Sequence, residues 1–206
     1  MIILEEPKLI FIHNQKAAGM SVEEYLMKGL DGHKLLERHS NARDGLRVLG
    51  REKWNQYYHF GLVRNPWERL VSWYVMIQET PPKGKNQLWD YVHNNSSTFE
   101  EFIKNCTDSI IEDRDGYQYE KSFVRPQIDY FTDEDSQIIV DFIGRFESLQ
   151  EDFDAVLQKV DLPAHRLPHL NVTRSKDYRD FYTSETREIV EYRFKKDIDL
   201  FGYTFE

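Results

Sequence analysis

Residues 8–26, KLIFIHNQKAAGMSVEEYL, constrain this chain more than any other stretch. Leu9, Ile10, Phe11 and Ile12 form an unbroken apolar run that ends abruptly in His13, Asn14 and Gln15. A run without alternation suits a strand covered on both faces. From Lys16 to Ser21 mostly small side chains follow, as where backbone must pass close to something. Val22, Tyr25 and Leu26 come next at helical spacing, with Glu23 and Glu24 in the first turn. A strand, a sharp loop and a helix in this order aim backbone N–H groups and a helix N-terminus at one spot, which makes an anion site. Lys16 adds a full positive charge. The loop is therefore expected to hold a phosphate-like group.

A second unit of the same design follows. His59 to Val63 reads as another buried strand, ending at Arg64. Asn65 can cap a helix, and Pro66 suits the first helical position, where no N–H is needed. Leu70, Trp73, Tyr74 and Ile77 make an apolar stripe at helical spacing. Ser72 falls off that stripe and is expected to face the same side as the helix start, near Arg64.

Between and after these units the pattern is coarser. His33–Leu36 reads as a short strand, and Asn41–Leu49 as a helix weakened by Gly45. Thr80–Asn95 reads as an irregular loop broken by Pro81, Pro82 and Gly84. A helix over Thr98–Cys106 places Cys106 in the core with Phe99, Phe102 and Ile103. Asp108–Gly116 reads as a polar, mobile segment. Gln137–Phe146 contains a third strand, Phe153, Val156, Leu157 and Val160 define a helix, and one closing helix from Ser184 turns Val190, Phe194, Ile198 and Phe201 inward. Strands alternating with helices imply an α/β fold, P-loop-like and three-layered, with a mainly parallel central sheet flanked by helices. With 206 residues, 40% of them hydrophobic, one domain over residues 1–206 is expected.

Charge and cysteine usage narrow the function. A net charge of -9 disfavours a general nucleic-acid surface, so an anion site here is a local basic pocket in an acidic protein. One cysteine excludes an intrachain disulfide framework and a cysteine-rich zinc site. The run Asp133-Glu134-Asp135 reads as a solvated turn, and no metal is expected. The first strand begins within about ten residues of Met1 and nothing approaches a membrane span, so a cytoplasmic location is expected.

A triphosphate-binding loop would read G-x-x-x-x-G-K-[ST]. Here the lysine precedes the glycine and the first glycine is missing. IFIHNQKAAGMS instead resembles the 5′-phosphosulfate loop of the sulfotransferases that use 3′-phosphoadenosine 5′-phosphosulfate (PAPS), and GLVRNPWERLVSWY resembles their 3′-phosphate element, with a serine eight residues after an arginine. DFIGRFESLQEDF, LPHLNVTRSKDYRDFY and DIDLFGYTFE are similar to the carbohydrate branch, which includes heparan and chondroitin enzymes and bacterial relatives. The resemblance runs in order over nearly the whole chain.

It implies transfer of a sulfuryl group from PAPS to a hydroxyl of a carbohydrate or glycoconjugate, without a metal. It also implies roles. Lys16 would bridge the leaving phosphate and the sulfuryl group, and the backbone of Ala17, Ala18, Gly19 and Met20 with the Ser21 hydroxyl would hold the 5′-phosphate. Arg64 and Ser72 would hold the 3′-phosphate, reached also by one of Arg174, Lys176 and Arg179 from the segment that resembles the family's closing loop. Threonine is common in the family where this chain has Ala17 and Met20, and a missing hydroxyl removes a hydrogen bond worth about 1.5–3 kcal/mol to a charged group. His39 is the expected base, His13 the next candidate as base or substrate contact, and Arg125 and Gln127 are expected to line the acceptor cleft. Two rival readings stay open: a magnesium- and nucleotide-dependent phosphotransferase, and a non-catalytic protein that binds PAPS or its desulfated product.

Overall fold

The computed structural model describes residues 1–79, 86–109, 111–114, 117–168 and 177–206, with 111–114 and 117–120 described by backbone alone. In chain order the elements are β1 (Ile2–Leu4), β2 (Leu9–Ile12), α1 (Gly19–Gly29), β3 (His33–Lys34), α2 (Ala42–Leu49), α3 (Arg51–Trp54), β4 (Tyr58–Val63), α4 (Pro66–Glu79), α5 (Gln87–Asn95), α6 (Phe99–Cys106), β5 (Ile111–Arg114), β6 (Tyr117–Glu120), β7 (Phe142–Arg145), α7 (Leu149–Lys159), α8 (Ser184–Arg193) and α9 (Lys195–Phe201). They fall into two compact units, Met1–Arg64 with Gln127–Asn171, and Asn65–Pro126 with Val172–Glu206.

The first unit contains a five-stranded sheet in the order β3-β1-β2-β4-β7. β2, β4 and β7 pair in parallel, whereas β1 is antiparallel to both β2 and β3. Only β1 therefore runs against the other four, and the α/β class with a mainly parallel sheet is as the sequence implies. Residues alternate between the two faces. Leu9, Phe11, Phe60 and Leu62 pack with Val22 and Leu26 of α1 and Phe153, Val156 and Leu157 of α7. On the opposite face Trp54 of α3 stacks on His59 at 4.0 Å, and Phe131 lies over Gly61, where an added Cβ would sit 2.1 Å from its ring. Both faces of β2 and β4 are thus covered, which is why their sequences are apolar runs without alternation. Helix α2 starts on a capping box between Asn41 and Asp44, and its buried Gly45 lets Trp54 and Met1 approach, so the glycine serves packing here.

The second unit is largely helical. Asn65 Oδ1 accepts from Trp67 N–H at 3.0 Å and caps α4 as expected. Leu70, Trp73 and Ile77 are buried, with Tyr74 half-buried against Phe99 and Phe102 of α6. Arg69, fully enclosed, donates to the Phe123 and Ser122 carbonyls, and Cys106 lies in the core. Arg193 at the end of α8 donates to the Ile103 carbonyl and ties α8 to α6.

Several local expectations give way. The loop expected over Thr80–Asn95 contains helix α5, because Asn86 Oδ1 caps it by accepting from Leu88 and Trp89 N–H. Within the polar stretch Asp108–Gly116, residues Ile111–Arg114 pair antiparallel with Tyr117–Glu120; backbone bonds carry this hairpin, and hydrophobic periodicity does not announce it. The closing helix is two helices broken at Phe194, whose buried ring makes the corner. Of the residues expected inward there, Val190 and Phe194 are buried, while Ile198 and Phe201 are only half-buried. Asp133 Oδ1 accepts from Asp135 and Gln137 N–H, which makes the acidic run a turn. Among the described residues no helix is long and apolar enough to cross a membrane.

Candidate functional site

The loop between β2 and α1 is built by backbone conformation as much as by charge. Lys16 (φ 65°) and Ala18 (φ 60°) are both left-handed, a conformation that costs a non-glycine residue of order 1 kcal/mol and persists where surroundings enforce it. Left-handed residues in a tight turn turn successive N–H groups toward a shared concavity, as anion-binding nests do. Ala18 also caps α1 without a side-chain bond, and the Ser21 and Val22 N–H groups turn back to its carbonyl. Ala17 is fully buried, Ser21 nearly so, and Met20 is 40% exposed. Gly19 is required by space: a Cβ there would lie 2.0 Å from the His13 ring.

Two cations meet at this loop. The Arg64 guanidinium donates to the Lys16 carbonyl at 3.2 Å and lies over the Phe146 ring, 3.9 Å from its centre. Burial, followed by the Arg64 charge, lowers the Lys16 pKa to about 8. Phe146 was not singled out in the sequence; an aromatic next to the β7 strand end is a weak signal until the fold brings it to Arg64.

The ends of β2 and β4 are joined by one side chain. Gln127 Oε1 accepts from Asn14 Nδ2 (3.0 Å) and from the Arg64 N–H (2.9 Å), and its Nε2 donates to the Arg64 carbonyl (2.7 Å). Asn14 also donates to the Leu62 carbonyl. Gln127, expected in the acceptor cleft, is fully buried, and its amide joins the two strand ends. A primary amide donates and accepts at once, which is what the open backbone at two parallel strand ends requires.

His13 is also enclosed. It is 3% exposed, with Nδ1 on Glu23 Oε2 at 3.0 Å and its ring beneath Gly19. Burial, with the neighbouring His39, lowers its pKa to about 3. The structure thus places this candidate base or substrate contact against Glu23, Gly19 and His39. His39 is exposed, and its Nδ1 lies 3.2 Å from the His13 carbonyl. A carbonyl only accepts, so Nδ1 carries the proton and Nε2 presents a lone pair. Burial of part of the ring lowers the His39 pKa, which keeps the imidazole neutral near pH 7.

Glu23 and Arg38 are residues that sequence reasoning passed over. Glu23, past the first turn of α1, is held by both Nε and Nη2 of Arg38 at 2.9 Å. Its burial raises the carboxyl pKa, but the bonds from Arg38 and His13 outweigh that and leave it lowered. An acid placed beside an anion loop was the available signal, since it demands a cationic partner.

Ser72 is buried on α4 and Arg125 half-buried, both in the second unit. Arg174 and Lys176 lie outside the described residues.

Comparison with known proteins adds the following. The model of the sulfotransferase family matches residues 1–204. An uncharacterized protein of Archaeoglobus fulgidus is 28% identical over 131 residues, 64% of this chain and 90% of that protein. The crystal structure of a sulfotransferase from Alicyclobacillus acidocaldarius aligns with a TM-score of 0.38 and 11% identity, over 96% of this chain and 99% of that one.

Proposed function

This chain belongs to the sulfotransferase family, and on that premise we propose that it carries a sulfuryl group from PAPS to a hydroxyl of a carbohydrate acceptor. The observation that carries the donor assignment is the meeting of Lys16 and Arg64 at a loop with two left-handed residues. Their mutual repulsion is relieved by an anion, and the loop offers backbone donors to the same anion. The donor, when bound, supplies a sulfuryl group already activated by its anhydride bond to phosphate.

The chain's own residues then divide the work. Lys16 and the loop backbone hold the 5′-phosphate and stabilise the charge that develops on it. Arg64, with Ser72, Arg174 and Lys176 by family resemblance, holds the 3′-phosphate, and Arg125 contacts the acceptor. His39 accepts the proton of the attacking hydroxyl at Nε2, the nitrogen that its bond to the His13 carbonyl leaves with a lone pair. Because burial lowers the His39 pKa, the competent neutral form persists to lower pH than for a free histidine.

Calorimetric titration with 3′-phosphoadenosine 5′-phosphate (PAP), AMP and ATP tests the donor assignment. PAP should bind best, and Arg64→Ala should weaken it roughly ten- to a hundredfold, the size of one or two charge-assisted hydrogen bonds. Tighter binding of ATP with magnesium would overturn the donor assignment in favour of phosphoryl transfer. Tight PAP binding without turnover on any hydroxyl acceptor would leave a PAP-binding sensor.

A further inference from the structure

We infer that Glu23, Arg38 and His13 form a positioning set that fixes the place of His39 and the charge around its imidazole. The inference rests on the reading of His39 as the base.

The set links three segments, at His13, Glu23 and Arg38-His39. Glu23 stands in α1, four residues after the helix begins at Gly19. Its two carboxylate oxygens take the Nε and Nη2 of Arg38, both at 2.9 Å, and Oε2 also takes His13 Nδ1 at 3.0 Å. Such a planar fork defines direction as well as distance. Arg38 immediately precedes His39, so the fork anchors the backbone from which the base projects. The Met1 N-terminus holds the same backbone from the other side, donating to the Glu37 carbonyl at 2.8 Å and to those of Leu36 and Arg38. His39 then rests on His13 twice, through Nδ1 to the His13 carbonyl and edge-on to the His13 ring with centres 4.9 Å apart.

His13 is the shared member. Its ring lies beneath Gly19 on one side and against His39 on another. One enclosed imidazole thus sets the height of the anion loop and the position of the base. It can do so without adding charge, since burial keeps it neutral. Glu23 cannot be exchanged for a neutral group on the same terms, because Arg38 would be left facing His39 unneutralised.

Beside burial, which lowers its pKa, and the bond to the His13 carbonyl, which raises it, His39 feels the Arg38 guanidinium, which lowers it, the Glu23 carboxylate, which raises it, and the Met1 amine, which lowers it only where protonated and whose own pKa burial brings down to about 6. Glu23 and Arg38 therefore act on the base in opposite directions, which a purely structural bridge would not do. Glu23→Gln should move the His39 titration to lower pH and Arg38→Met should move it to higher pH. Each shift should be roughly half a unit, as for a unit charge several ångströms away in partly screened surroundings. The double variant should return toward the original midpoint. Arg38→Lys keeps the charge and loses the fork, so it should leave the midpoint near its original value while lowering kcat more than it raises KM.

The test is an NMR pH titration of the histidine ring carbons in the full chain without donor, with the His39 signal assigned among seven histidines by its loss in His39→Gln. Opposite shifts in Glu23→Gln and Arg38→Met that cancel in the double variant support the set. Unmoved midpoints, or shifts of the same sign, overturn it. Should Glu23→Gln fail to fold by circular dichroism, the two Arg38 variants carry the test alone, since an upward shift in Arg38→Met that is absent in Arg38→Lys is required. Full turnover of His39→Gln overturns the base reading instead, and leaves the titration result standing as a separate fact.

Discussion

A lysine with a pKa near 8 makes anion binding at this loop a proton-linked event. Lys16 owes that value to burial and to the Arg64 charge, and a phosphate placed beside it favours the charged form again. Below about pH 7 the side chain is charged with or without ligand, and affinity for PAP should be flat. As pH rises through the lowered pKa, the free protein loses the charge and the complex keeps it. Affinity should then fall by up to about tenfold per pH unit, with close to one proton taken up per ligand at about pH 9. Calorimetry in buffers of different ionisation enthalpy measures that uptake directly. Lys16→Ala should abolish both the uptake and the pH dependence, and an unlinked titration of the parent protein at alkaline pH would remove Lys16 from contact with the anion.

Two glycines separate the work of the elements. Gly19 opens α1 against the His13 ring, and Gly61 lies in β4 against the Phe131 ring. Alanine at either place overpacks a filled interior and should cost about 1–3 kcal/mol of stability, measured by denaturant unfolding. The consequences for function should differ. Gly61→Ala pushes on the sheet face that carries Phe131 and should leave PAP affinity within about twofold, a change of roughly 0.4 kcal/mol. Gly19→Ala drives His13 from Glu23 and should weaken PAP binding and turnover together; equal PAP affinity in the two variants would deny Gly19 any part in shaping the loop. At this scale the sequence was legible where burial dictates pattern. The apolar runs of β2 and β4, the Asn65-Pro66 start of α4 and the Lys16 loop were all readable because each is a local arrangement. The three-residue β1 is too short to show a period, and the pairing of β5 with β6 rests on backbone bonds. The bridging contacts of Gln127, the place of Phe146 against Arg64 and the Glu23–Arg38 fork escaped for another reason: each depends on a partner at least 15 residues away, and nothing in the local sequence marks the pairing.

For the molecule as a whole, the net charge of -9 sets which acceptors approach easily. On the proposed reading the cations at the loop serve the donor, and the remaining field repels polyanions. Raising salt from about 10 mM to about 0.15 M shortens the Debye length from roughly 30 Å to 8 Å and removes most of that repulsion. Turnover on a highly sulfated polymer should therefore rise over this range, while turnover on a neutral oligosaccharide should stay constant or fall as donor binding weakens. A polymer rate that falls more steeply than the oligosaccharide rate would indicate a basic acceptor track. The Gln127 bridge has a consequence of a different kind, for the order in which the molecule can be finished. During synthesis β2 can pair with β4 as soon as both have left the ribosome, yet the amide that joins their ends comes 63 residues after Arg64 and 113 after Asn14. Until that residue emerges, the nascent chain carries the lysine loop with one of its supports missing. The two strand ends are thus joined late, by a side chain from a distant part of the chain.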